Sequence, residues 1–211
     1  DKKENTVEAL WRKPEDQMKE EELEEFYKFV SNDFEKPLDH LHLSMEGAVN
    51  FKALLFVPAK APLYLFRDIN EKGLHLYNSR AFIEDNASED LLPEYLRFIR
   101  GVVDTEDLPL NVSRETTQYT PVMNKIKSIL TKKLLAMFEE WLSDDRDKYE
   151  KFFKNFGQLL KTGLNSDFQN QDKIKKLLCY ESTKTKDEKL VTLDEYITNM
   201  KDDQQEIYYL T

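Results

Sequence analysis

The sequence predicts an α/β fold. Strand-forming runs at 51–58 and 73–83 alternate with amphipathic helical patterns at 20–30, 91–99 and 121–141. A polar break, Ser143 to Lys148, then leads into a second, helix-rich stretch. Hydrophobic residues make up 40% of the 211, enough for a packed core beneath a strongly charged surface.

The first helix is expected over Glu20–Val30. Leu23, Phe26, Tyr27 and Val30 share one face behind an acidic first turn that suits a helix N-terminus. "FKALLFVP", 51–58, is rich in strand formers and is stopped by proline. "GLHLYNSRAFI", Gly73–Ile83, predicts one more strand, entered through the turn "NEKG". Leu91–Ile99 places Leu92, Tyr95, Leu96 and Ile99 on a helical face, with Gly101 as its closing glycine. "VVDTEDL" reads as a short strand running into the loop "DLPLNVSRETTQ", Asp107–Gln118. Thr120-Pro121 then supplies a capping hydroxyl and a first-turn proline for a long helix through Val122, Ile126, Leu130, Leu134, Phe138 and Trp141.

Behind the break, Tyr149, Phe152, Phe153, Phe156, Leu159 and Leu160 mark a helix closed by Gly163. Adjacent helical residues point about 100° apart, so Phe153 is expected to be the more exposed of the pair Phe152–Phe153 and open to a partner. Ile174, Leu177 and Leu178 mark another helix. Thr192-Leu-Asp-Glu195 is a capping box opening a last helix through Met200, and "IYYL", Ile207–Leu210, is strand-like. The charged start, residues 1–8, reads as a linker remnant, so the chain is expected to be cut from a longer protein.

Charge narrows the function. Lys plus Arg total 31 against 41 Asp plus Glu, a net charge of -10, which repels phosphate backbones and argues against nucleic acid. No apolar run approaches the roughly 20 residues of a membrane span, and no secretion signal is visible. The lone Cys179 has no disulfide partner and suits a reducing compartment; a cytoplasmic location is expected. Next to Leu178 it reads as a small buried apolar residue. Two sequons, at Asn86 and Asn111, read as chance matches. His40 and His42 share a strand face, but no third ligand accompanies them, so no metal site is expected. The five glycines, 47, 73, 101, 157 and 163, form no phosphate-cradling loop.

Arg114 has two readings. It is a surface arginine pairing with Glu115 or Asp107, or it is an arginine finger, a planar cation that stabilises charge growing on a transferring phosphate. A finger on this chain would have to serve a nucleotide held by another domain.

"NDFEKPL", "FVPAKAPLYLF", "LPEYLRFIRGVVDTEDLPLNVSRETTQ" and the closing "IYYLT" resemble the middle domain of the Hsp90 chaperone family, from about Ala9 to Thr211. "EALW", "YLRFIRG" and the pattern around "FGQLLKTGLNSDFQNQ" look closer to its bacterial HtpG branch than to eukaryotic cytosolic forms.

The resemblance implies a dimeric, ATP-dependent chaperone. Its N-terminal domain binds ATP with Mg2+, and its C-terminal domain makes the homodimer; neither cofactor is expected on this stretch. It also implies a large α/β/α layered subdomain (9–143), a helical connector (144–166) and the start of a smaller α/β/α subdomain (167–211). By the same resemblance Arg114 and Gln118 match the family's catalytic-loop arginine and glutamine. Trp11 matches a tryptophan of interdomain and client contact, and Phe82 an exposed phenylalanine; Phe153 joins Trp11 as an expected client contact. Implied partners are the chaperone's own ATPase domain, unfolded or partly folded clients and co-chaperones, with no nucleic acid and no membrane. Two positions depart from the family pattern: Thr116-Thr117 replaces an apolar pair, and Ser79-Arg80 replaces two basic residues. The rival reading is a non-catalytic interaction scaffold.

Overall fold

A computed structural model describes residues 9–62, 65, 73–108, 121–185 and 189–210. The chain divides into two compact units, Asp1–Leu134 and Leu135–Thr211, and the division falls inside one long helix.

The first unit is built on a five-stranded mixed sheet. Its strands are β1 (Asp39–Met45), β2 (Phe51–Val57), β3 (Leu74–Asn78), β4 (Ala81–Glu84) and β5 (Arg100–Thr105), ordered β1-β2-β5-β3-β4. β2 pairs antiparallel with β1 and β5, while β3 runs parallel to β5. β5 lies at the centre, and all six of its residues are buried. Alternate side chains on β2 and β5 point to opposite faces. Leu54, Phe56 and Val102 therefore meet Leu10, Trp11, Phe26, Tyr27 and Val30 of α1 (Glu20–Ser31) and the 3-10 turn Leu10–Arg12. Helix α1 ends on Asn32 in the left-handed region (φ 55°), a conformation asparagine tolerates.

The expected helix over 91–99 does not form as such. The structure has α2 (Ser88–Leu91) and a 3-10 turn, Glu94–Leu96, separated by an extended Leu92. Pro93 accounts for this, because proline disfavours helical backbone in the residue before it. Gly101 closes no helix: it lies in β5 with φ 134° and its backbone packs against Leu54. The single strand expected over 73–83 is instead the hairpin β3–β4. Ser79 and Arg80 form its tip with φ 51° and 71°, the double positive φ of a tight two-residue turn.

Helix α3 (Pro121–Asp144) matches the expected long helix; its capping position, Thr120, lies outside the described residues, as does most of the "NEKG" turn. In the second unit, α4 (Arg146–Ser166) starts where Asp145 accepts a hydrogen bond from the Lys148 N–H, and it runs past Gly163. Then follow α5 (Gln171–Leu177), β6 (Cys179–Glu181), β7 (Leu190–Thr192) and α6 (Leu193–Thr198). The Thr192–Glu195 capping box forms as expected. Arg146 ties the unit together: its fork meets both Glu195 carboxylate oxygens at 3.0 Å, and Nη2 donates to the Leu190 carbonyl.

Phe153 is the more exposed of the pair, at 7% against 0% for Phe152, but both rings are buried, which corrects the expectation that it is open to a partner. Phe152 stacks on Phe138 (4.3 Å), while Phe153 lies over Gly157 and beside Tyr149. Phe152 is covered by Phe138 of α3, whereas Phe153 lies along α4 itself, where the missing Cβ of Gly157 leaves room for its ring. Residues 207–210 form no strand; they are exposed and irregular, and the Tyr208 N–H donates to the Tyr196 hydroxyl.

Candidate functional site

The loop that carries Arg114 and Gln118 falls in 109–120, outside the described residues. Its root on β5 is described and is tied by hydrogen bonds. Asp104, 1% exposed, accepts from Trp11 Nε1 (2.8 Å) and Arg12 Nε (2.7 Å) on Oδ2, and from the Arg80 backbone N–H (3.2 Å) on Oδ1. Arg12 reaches on to Glu106 at 3.1 Å. Thr105 Oγ1 donates to the Asn50 carbonyl and accepts the Asp107 N–H. Asp107, one of the acids weighed as a partner for Arg114, accepts from Asn50 through its backbone N–H and its side-chain amide. Leu108 is buried, and Asn78 Nδ2 donates to its carbonyl.

The electrostatics follow from this geometry. Burial alone would raise the Asp104 pKa. The hydrogen bonds from Arg12, Trp11 and the Arg80 N–H, with the Arg12 charge, outweigh it and hold the carboxyl below its ordinary value. Arg12 is correspondingly shifted up by its hydrogen bond to Asp104.

Trp11 is 5% exposed, so its ring is a core element. The reason is local: its N–H has a buried acceptor, and its ring packs on Tyr77 (4.8 Å) and Phe26 (5.8 Å). Phe82, on the edge strand β4, is 51% exposed and meets Tyr77 edge-on at 5.5 Å. Trp11, Tyr77 and Phe82 therefore form one aromatic seam from core to surface beside the loop root. Phe153 belongs to the other unit.

Sequence reading missed the Asp104–Arg12 link. The only signal was an acid directly following Val102-Val103, and nothing in the sequence pairs it with a residue 92 positions away. His42 Nε2 lies 3.1 Å from the Trp11 carbonyl. Among the described residues no group of three or more His, Cys, Asp or Glu side chains could hold a metal ion, and no helix is long and apolar enough to cross a membrane. Burial pushes the Cys179 thiol up to about 11, which keeps it protonated at neutral pH. A cavity of about 330 Å³ opens elsewhere in the first unit, between Leu92, Pro93, Arg97 and Lys127.

Residues 1–211 match the family model described as Hsp90 protein. Chaperone protein HtpG of Chlorobium luteolum is 54% identical over 208 residues, covering 97% of this chain and 33% of that protein. The Geobacter sulfurreducens HtpG is 47% identical over 207 residues, covering 98% and 32%. Among solved structures, the middle domain of a Plasmodium falciparum heat shock protein matches with a TM-score of 0.79 at 32% identity, over 92% of this chain and 74% of that one. The chain spans about a third of the length of the curated relatives it matches. With the family model matched along its whole length and a middle-domain fold in common, the chain belongs to the Hsp90 family.

Proposed function

We propose that this chain is the middle part of an ATP-dependent Hsp90-type chaperone, in which Arg114 completes an ATP site held by a preceding domain. The observation that carries this reading is the hydrogen-bonded root at Asp104–Leu108, from which "PLNVSRETTQ" departs. A finger must arrive already oriented, and a rigid root limits the positions it can take. Pro109 fixes one further backbone angle, and Gln118 would orient the guanidinium or the attacking water. ATP with Mg2+ would be bound by the preceding domain, and dimerisation would lie in a following one. Phe82, exposed on an edge strand, is the described site residue best placed to meet a client or a neighbouring domain. The close HtpG relatives favour a bacterial cytoplasmic setting.

The test is ATP turnover by the full-length protein. In other NTPases an arginine finger contributes about 10³–10⁵ in rate. A smaller effect is expected where domain closure is only partly populated, so Arg114→Ala should cut turnover by about tenfold or more with ATP affinity little changed. Arg114→Lys should rescue poorly, since a point charge does not replace a planar fork. Gln118→Ala should lose less. Unchanged turnover in Arg114→Ala would leave the interaction scaffold as the better reading.

A further inference from the structure

We propose that Asp104 is a positioning residue for the arginine: its carboxylate ties the entering segment Leu10–Arg12 to the strand end from which the Arg114 loop departs. The inference rests on the reading of Arg114 given above and adds a residue that touches neither nucleotide nor water.

Both oxygens of Asp104 are committed, and they join its strand to two other stretches of chain. Trp11 and Arg12 come from the segment that leads into the domain, Arg80 from the β3–β4 tip, and Asp104 itself stands on the central strand. Arg12 reaches both Asp104 on that strand and Glu106 just past its end. Immediately downstream, Thr105 and Asp107 are bonded to Asn50. A shift of the entering segment is therefore passed to the last residues before the loop, with little slack in between.

Stability alone does not explain an ionised acid here. Buried ion pairs are often no more stabilising than apolar side chains of similar volume, and the neighbouring positions are Val102 and Val103. What the carboxylate adds is geometry: fixed directions for two side-chain donors and one backbone donor. The Trp11 ring, wedged against Tyr77 and Phe26, gives the entering segment the rigidity to use it.

The experiment uses the full-length protein carrying Asp104→Asn, Arg12→Gln, both together, Arg114→Ala, and Asp104→Asn with Arg114→Ala. Steady-state ATP turnover and thermal unfolding are measured for each. Each of Asp104→Asn and Arg12→Gln should lower kcat by about threefold or more while KM for ATP stays within about twofold. Their combination should be no worse than the poorer single variant, because both break one link. Adding Asp104→Asn to Arg114→Ala should cost nothing further in kcat. Should Asp104→Asn fail to fold, Arg12→Gln, on the more exposed partner, decides by the same kcat-against-KM criterion. A lowered unfolding temperature with kcat preserved overturns the proposal. Loss of turnover in Arg114→Ala alone, with kcat intact in Asp104→Asn and Arg12→Gln, overturns it while leaving the arginine reading standing. Turnover intact in Arg114→Ala removes both.

Discussion

At Asp104 two opposing effects act on one carboxyl. Burial favours the neutral acid, while Arg12, Trp11 and the Arg80 N–H favour the anion, and the anion wins. Because its folded-state pKa lies below that of the unfolded chain, its contribution is complete above the ordinary carboxylate pKa of about 3.9 and is lost as pH falls through the folded value. Asp104→Asn should therefore cost about 1–3 kcal/mol at pH 7, with the gap to wild type narrowing below about pH 4. The chain has two tryptophans, so a Trp141→Phe background leaves Trp11 as sole reporter in denaturant titrations at the two pH values. A constant gap across that range would show that the carboxylate charge is not what matters. Residue types were legible in the sequence to different depths. Arg114 stood out because a cation on a proline-bearing apolar loop is unusual. Asp104 did not, because its importance comes from partners 92 and 93 positions away. Phe153 reads as open to a partner, since helical angle alone does not show that a glycine one turn on leaves room for the ring to be buried.

Elements were legible where one period ran undisturbed. Helix α1, strand β2, helix α3 and the Thr192 capping box follow from spacing and end signals. Reading failed where a single residue overrode the pattern: Pro93 split the expected helix, and Ser79-Arg80 turned one expected strand into a hairpin without the usual glycine or asparagine. Gly101 shows the same limit from the other direction, because its role lies in a neighbour the sequence does not reveal. A Cβ at that position would sit 2.1 Å from the Leu54 carbonyl oxygen, and the backbone φ of 134° is one that L side chains rarely adopt. Gly101→Ala must therefore push β5 away from β2, the pairing that holds the central strand. A loss of about 3 kcal/mol or more is expected, in the range of overpacked or strained core sites. Denaturant unfolding followed by Trp11 fluorescence would measure it; a loss below about 1 kcal/mol would mean that the strands separate easily, as in an ordinary surface change.

On the scale of the whole molecule, charge and glycine usage point the same way. A net charge of -10 opposes a free nucleotide polyphosphate, and five scattered glycines supply no phosphate loop. Two of the glycines have structural tasks instead: Gly101 lies against Leu54 and Gly157 under the Phe153 ring. An arginine finger on such a chain works only when another domain brings the nucleotide, and a covalent link raises the rate of that meeting through effective concentration, about millimolar for short linkers. The 211-residue chain alone should therefore turn over no ATP. Mixing it with the separately purified nucleotide-binding domain should raise that domain's turnover only as the concentration approaches the millimolar range, and the increment should vanish with Arg114→Ala. Turnover by the chain alone would mean that it holds a nucleotide without a glycine loop. An increment that survives Arg114→Ala would mean that docking, not the guanidinium, activates the partner domain.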